Sequence, residues 1–401
     1  MNAPARQAAL VVAMGVAAAM HVGKLPPAIP ILRETLGVTL VEAGFLLAVV
    51  QIAGMLLGAP VGMVADRLGP KRVMCSGLGL LALASCAGGF VSGVQGLLLS
   101  RVLEGFGFLL AVLPAPGVLR RIVRDGRAVS KTLGLWGAYM PLGAALGLLL
   151  GPGFYELFGW RAAWVVLGLV SAGLGWLVGV FVPADPERGR PSDVSMLKRL
   201  RSTLSAPGPW LVALAFLMYS GQWLAVVGFL PTVYTEAGWP VAAVGLLSAL
   251  AAGVNIVGNV LAGRLLAQGA EPVRVLAFAY ASMGLGAYGA FGSGANAAVQ
   301  YASVLLFSAV GGLIPGTLFG LAVRLAPTAH TVSTTVGWVQ QLSSLGQFSG
   351  PPLVAWIAAR AGGWQYTAWV TGACSVAGVA LAVALQRLID RLPPVNSPVA
   401  R

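Results

Sequence analysis

Charge along this chain is confined to short islands, and the sequence between them is apolar. Residues 73–100, 202–235, 237–263, 275–323, 325–359 and 361–386 contain no Asp, Glu, Lys or Arg. A helix needs about 20 such residues to cross the hydrocarbon core of a bilayer, so the pattern predicts a polytopic membrane protein. Twelve spans fit the chain, at 8–28, 43–63, 73–93, 97–118, 132–154, 161–182, 209–232, 242–264, 273–292, 297–320, 333–356 and 365–386. The first follows a single basic flank, Arg6, and runs on through Lys24, Pro26 and Pro27 without a small-residue cleavage site. It therefore reads as a retained helix rather than a signal peptide.

Composition agrees, at 58% hydrophobic and 9% charged with a mean hydropathy of +0.85. The 55 glycines and 25 prolines suit closely packed, locally broken membrane helices. A net charge of +13 would suggest nucleic-acid binding in a soluble chain, but the distribution of the basic residues gives it another meaning. With the N-terminus cytoplasmic, twenty basic residues fall on that side: Arg6, Arg67, Lys71, Arg72, Arg120, Arg121, Arg124, Arg127, Lys131, Arg188, Arg190, Lys198, Arg199, Arg201, Arg264, Arg274, Arg324, Arg387, Arg391 and Arg401. Only Arg33, Arg161 and Arg360 fall on the other. This positive-inside bias predicts an even number of spans, two cytoplasmic termini, lipid as the surroundings and no nucleic-acid partner. Arg121 reads as one of five basic residues in an aqueous loop. Cys75, Cys86 and Cys374 all fall inside spans and are odd in number, so they read as buried small side chains rather than a disulfide framework or a metal site.

The one long polar stretch, 183–208, follows the sixth span and divides the chain into two six-span bundles, 1–182 and 209–401. Internal echoes support the division. Gly147-Leu-Leu-Leu-Gly151-Pro152 is matched by Gly346-Gln-Phe-Ser-Gly350-Pro351, and Gly159-Trp160 by Gly363-Trp364. The expected fold class is an all-α membrane protein of twelve transmembrane helices in two pseudo-symmetric six-helix bundles, able to rock about a central site.

Charges inside spans are costly and mark functional candidates. Arg101 and Glu104 lie three apart on one face of span 4, and His21 and Lys24 three apart on one face of span 1. Three potentially cationic groups against one acid favour an anion. Lys24 has a second reading, in which its long side chain snorkels to the headgroups. Neutral candidates are Tyr219 and Gln222 in span 7, Asn255 and Asn259 in span 8, and Trp338 and Gln341 in span 11, with Trp136 and Tyr139 of span 5 as aromatic walls. Trp160, Trp164, Trp239, Trp364 and Trp369 lie near span ends and read as interface anchors. Gly143, Gly147, Gly151 and Pro152 form a small-residue stripe that admits a close helix neighbour.

The turn after span 2 reads Gly62-Met-Val-Ala-Asp66-Arg67-Leu-Gly69-Pro-Lys71-Arg72. This resembles the signature loop of the major facilitator superfamily, Gly-x3-Asp-Arg-x-Gly-x-Arg/Lys-Arg/Lys, and Arg101-x2-Glu104-Gly105 resembles its fourth-helix pattern. Gly228-Phe-Leu-Pro231, Pro315-Gly-Thr-Leu-Phe319, Arg324-Leu-Ala-Pro327 and Leu345-Gly-Gln-Phe-Ser-Gly-Pro351 look like its cyanate-transporter-like branch. The resemblance implies a monomeric secondary transporter of the bacterial inner membrane, carrying a small solute by alternating access. It also implies that the signature loop, with Asp66 as a latch, helps to stabilise one conformation. With the residues above, the expected solute is an anion, moved with or without protons. No Walker loop, His-Glu-x2-His or Cys/His cluster is present, so no enzyme chemistry, cofactor or metal is expected. Drug or metabolite export is the alternative within the superfamily; a channel or membrane scaffold is the alternative of another class.

Overall fold

The computed structural model describes residues 3–123, 132, 135–185 and 195–391, without the side chains of 59, 62–67, 196 and 329. The described residues contain no strand and fold into twelve long helices, ten of which lie in the nine runs long and apolar enough to cross a membrane. These are α1 (Ala3–Leu36), α2 (40–68), α3 (Pro70–Gly88), α4 (Val94–Ile122), α5 (139–158), α6 (160–181), α7 (Pro207–Glu236), α8 (Val241–Ala267), α9 (Pro272–Gly292), α10 (Ala297–Arg324), α11 (Val332–Ala361) and α12 (Thr367–Asp390). A short helix, Met196–Ser205, precedes α7. Each helix overlaps the span expected at its place. The end of the bundle where Arg72, Arg121, Arg264, Arg324 and Arg387 lie is called the basic end below.

Local sequence sets the reversals. After α1, Gly37 takes φ +65° and Thr39 opens α2 with a capping box, in which Glu42 Oε2 accepts from the Thr39 N–H at 2.8 Å. Gly69, at φ +100°, turns the chain into α3 with Pro70 in its first turn. The continuous run Tyr139–Phe181 is two helices, because Gly159 at φ +77° breaks it. Pro152 therefore lies inside α5 rather than at its end. In α1, Pro26 and Pro27 supply no N–H to the carbonyls of Val22 and Gly23, and the helix is interrupted at Lys24.

The glycine stripe of α5 finds its partner in α1. A Cβ on Gly147 would lie 2.5 Å from the Gly23 backbone, and one on Gly151 would lie 2.7 Å from Pro27. The last six helices repeat the arrangement: a Cβ on Gly221 of α7 would lie 2.8 Å from the Gly346 carbonyl of α11, and Gly350 packs on Gly221 in turn. The sequence echo between spans 5 and 11 is thus an echo of backbone-to-backbone packing.

Helices 1–6 meet helices 7–12 along two related seams. Gly245 of α8 rests on Pro152 of α5, and Gly44 of α2 rests on Pro351 and Pro352 of α11. On the second seam Gln51 Nε2 donates to Gln347 Oε1 at 3.0 Å, and Gln341 Nε2 donates to the Met55 carbonyl at 3.2 Å. At the end opposite the basic one, Arg33 of α1 pairs with Glu236 of α7 at 2.8 Å, and Trp364 Nε1 donates to the same carboxylate.

Gly147→Val is expected to destabilise the protein by about 1–3 kcal/mol, because the Cβ meets backbone that cannot yield. Gly153→Ala, on the same helix with nothing within 4 Å of the added carbon, is expected to be neutral. Thermal unfolding of the two variants in detergent, read by near-UV circular dichroism, measures the difference.

Candidate functional site

Glu104 is the centre of a polar cluster in which His21, Lys24, Arg101 and Glu104 have relative exposures of 0, 1, 0 and 0%. Lys24 Nζ lies 2.6 Å from Glu104 Oε1, while Arg101 Nη1 holds the other carboxylate oxygen. His21 Nδ1 is 3.8 Å from Glu104 Oε1. Ionised groups at this depth are tolerable only when each is paired and hydrogen-bonded.

Five helices build the cluster. From α3, Ser85 accepts from Lys24 Nζ at 2.8 Å and donates to the Trp164 carbonyl at 2.7 Å. From α6, Ser171 Oγ lies 2.9 Å from His21 Nε2, and the Trp164 ring faces Lys24 Nζ at 4.3 Å from its centroid. From α5, the Tyr155 hydroxyl donates to the Lys24 carbonyl at 2.5 Å. From α4, Arg101 Nη1 also donates to the His21 carbonyl at 2.7 Å. The interruption of α1 beside Pro26 and Pro27 is where α4 and α5 reach its backbone.

The four charged candidates are therefore brought together, and Lys24 turns inward to Glu104 rather than snorkelling. The sequence reading missed Ser85, Tyr155 and Ser171, and it misplaced two tryptophans. Trp160 and Trp164 are buried, at 3 and 0% exposure, and are not interface anchors; Trp369, 76% exposed, fits that role. A serine inside an apolar run gives no sign of whether it faces a charge. Trp164 lies one turn inside α6, close enough to its end to resemble an anchor.

The neutral candidates divide into groups. Asn255 Nδ2 donates to the Tyr219 hydroxyl at 3.0 Å and to the Ser308 carbonyl at 2.8 Å, and Asn259 Nδ2 donates to Asn255 Oδ1 at 2.9 Å. Trp223 Nε1 completes this second centre by donating to Ser308 Oγ at 3.2 Å. Gln222 points elsewhere, accepting from Ser375 of α12, and Gln341 belongs to the seam with α2. Trp338 packs edge-on against Trp210. Trp136, in the helical turn before α5, stacks on Tyr139 at 4.4 Å and covers Gly15 of α1, so neither aromatic joins the charged cluster.

Of the signature loop, Gly62, Asp66 and Arg67 contribute helical backbone to α2, and their side chains lie outside the described residues. Among the described side chains, Asp185, just beyond α6, engages the rest of the loop. It accepts from the backbone N–H groups of Lys71 and Arg72 at 2.9 and 3.1 Å and pairs with Arg121 at 3.0 Å. Lys71 Nζ donates to the Val182 carbonyl at 2.6 Å, and Arg121 Nη2 donates to that of Pro183. Arg121 is thus a clasp between α4 and the end of α6, contrary to its reading as an ordinary loop cation. Partial burial works to raise the Asp185 pKa, but the Lys71 N–H, the Arg121 guanidinium and the Arg72 N–H outweigh it and hold the carboxyl below its ordinary range.

Two predictions concern these centres. Glu104→Gln leaves two buried cations without their counter-ion and is expected to cost about 3–5 kcal/mol. Adding Lys24→Met recovers part of that loss, and a double-mutant cycle on unfolding free energy is expected to give a coupling of roughly 0.5–3 kcal/mol. Asp185→Asn is expected to cost about 1 kcal/mol. Because the Asp185 pKa is depressed on folding, its stabilisation is complete above the ordinary carboxylate pKa and is lost as pH falls through the folded value. Melting temperatures of wild type and Asp185→Asn should therefore differ at pH 7, and the difference should shrink as pH is lowered below the ordinary carboxylate range.

Comparison with known proteins places the chain. Residues 8–351 match the family model described as Major Facilitator Superfamily. The human "Monocarboxylate transporter 11" is 28% identical over 352 residues, covering 84% of this chain and 73% of that protein. The "3-(3-hydroxy-phenyl)propionate transporter" of Escherichia coli (strain K12) is 28% identical over 311 residues, covering 75 and 74%. The "Methylenomycin A resistance protein" of Bacillus subtilis (strain 168) is 29% identical over 184 residues, covering 46% of this chain and 36% of that protein. In fold, the chain resembles a bacterial homolog of the human lysosomal transporter Spinster solved in an inward-facing and occupied conformation, with TM-score 0.78 and 15% identity over 97% of this chain and 98% of that one. Membership makes the chain a multi-pass membrane transporter rather than an enzyme: with twelve helices, repeated glycine seams and a family match over most of its length, it belongs to the major facilitator superfamily.

Proposed function

We propose that this protein is a secondary active carrier of a small organic anion, a monocarboxylate above all, in the bacterial inner membrane. The observation that carries the reading is the charge count in the buried cluster, where Lys24 and Arg101 face the single carboxylate of Glu104. Arg101 Nη2, moreover, is buried without a hydrogen-bond partner among the described residues. A dry site with one surplus positive charge attracts an anion strongly, because little water screens it. The two relatives that match along about three-quarters or more of both this chain's and, nearly so, their own length are named for carboxylates, whereas the methylenomycin resistance protein matches 46% of this chain. Cyanate, the solute suggested by the branch resemblance, is a monoanion of the same charge.

The basic end faces the cytoplasm in this reading, with both termini there. The halves 1–182 and 209–401, joined by 183–208, rock about the seams at Gly44 and Gly245. Tyr219, Asn255 and Asn259 supply neutral polar contacts from the second half. One chain holds both halves of the path, so the carrier works as a monomer. Importing a lone anion against a negative interior costs about 2.3 kcal/mol per charge at 100 mV, and a proton carried with it offsets that cost. Glu104 and His21 are the groups in the cluster suited to hold that proton.

The test is initial uptake into proteoliposomes, with and without an inward proton gradient, for short-chain and aromatic monocarboxylates, cyanate and lipophilic cations. Saturable, gradient-stimulated anion uptake is expected, and preferential binding of lipophilic cations would reverse the reading in favour of drug export. Arg101→Gln is expected to lower anion uptake roughly tenfold or more, the effect of about 1.4 kcal/mol of lost attraction. Arg387→Gln, an exposed position on α12, is expected to leave it unchanged.

A further inference from the structure

The hydrogen bonds around Lys24 have only one consistent direction. An ammonium group has three hydrogens and no lone pair, so its three neighbours must all accept: Glu104 Oε1 at 2.6 Å, Ser85 Oγ at 2.8 Å and His21 Nδ1 at 3.3 Å. Glu104 accepts as a carboxylate. Ser85 accepts because its own hydrogen goes to the Trp164 carbonyl. His21 accepts only if Nδ1 carries no hydrogen, which places the ring hydrogen on Nε2, 2.9 Å from Ser171 Oγ.

We propose that the Lys24 ammonium fixes His21 as the neutral imidazole with its hydrogen on Nε2, and that Ser171, on α6, is the positioning residue that accepts this hydrogen and so holds the Nδ1 lone pair on Lys24. Ser171 then acts on Lys24 without touching it. With His21 an acceptor, the cluster holds two cations rather than three, and Lys24 stays centred between Glu104, Ser85 and the face of Trp164. Counted from the sequence, His21 is a third potentially cationic group; the directionality of the bonds makes it the support of one of the other two. The inference gives structural detail to the anion reading above and rests on it for its role in transport, but not for its test.

The chain has two histidines, and the other, His330, is exposed. In a His330→Gln background, histidine labelled with nitrogen-15 reports His21 alone, because a ring nitrogen bearing hydrogen resonates far from a bare one. In detergent at neutral pH without solute, the form with hydrogen on Nε2 is expected to dominate roughly tenfold or more, since the ammonium beside Nδ1 can only donate to it. Lys24→Met is expected to remove most of the preference, Ser171→Ala to raise the opposite tautomer severalfold because the buried Nε2 hydrogen loses its acceptor, and Ser171→Thr to restore the original ratio. A hydrogen on Nδ1 in the parent protein, alone or with one on Nε2, would overturn the proposal even if no variant folded. An unchanged ratio in folded Ser171→Ala would overturn it as well. Because the spectrum needs no solute, a negative result here leaves anion transport standing, and failed anion transport leaves the tautomer assignment standing.

Discussion

A carboxylate buried among membrane helices must be surrounded by donors, and meeting that requirement for Glu104 dictates much of the first six helices. Lys24 and Arg101 have to converge on it from α1 and α4. Lys24 then needs acceptors for its remaining hydrogens, which come from α1 itself and from α3. The carbonyls of His21 and Lys24, at the break in α1, receive Arg101 and Tyr155. Tyr155 reaches its carbonyl because glycines let α5 lie backbone to backbone against α1. Removing any one element leaves a charge or a carbonyl without a partner where water does not compensate.

The two halves share a packing scheme but not a polar interior. α1 with α5 and α7 with α11 close on glycines at matching positions, and each half offers a glycine to a proline of the other. Inside, the first half holds ionised groups, and the second holds Tyr219, Asn255, Asn259, Trp223 and Ser308, all neutral. The repeat thus supplies related geometry to both halves while electrostatic character is concentrated in one. Neutral polar groups cost less to bury than charges and impose fewer demands on their neighbours, which accords with the simpler network around Asn255.

The sequence made the twelve helices legible, because a missing charge over about 20 residues has one dominant explanation. It also made the membership of the cluster legible in part. His21, Lys24, Arg101 and Glu104 stood out as the ionisable groups placed within spans, and they are found together. What remained hidden were partners of ordinary type. Ser85, Ser171 and Tyr155 differ in no visible way from residues of the same type with ordinary roles, such as Ser349, which bonds the Leu345 carbonyl of its own helix. Position along a span also misled, since Trp164 and Trp369 both lie near helix ends while one is buried and the other exposed. Arg121 was indistinguishable from its loop neighbours because its partner, Asp185, lies 64 residues away in the chain.

The seams between the halves have a mechanical consequence. Gly44 rests on Pro351 and Pro352, and Gly245 rests on Pro152. Glycine has no side chain to lock into a groove, and a proline ring is compact and rigid, so these contacts lack the interdigitated knobs that hold ordinary helix pairs in register. In the proposed rocking of the halves, such a surface would serve as a plain bearing. It would keep two bodies in close contact while letting one glide over the other, and a bulkier residue at Gly44 or Gly245 would act like grit between the faces.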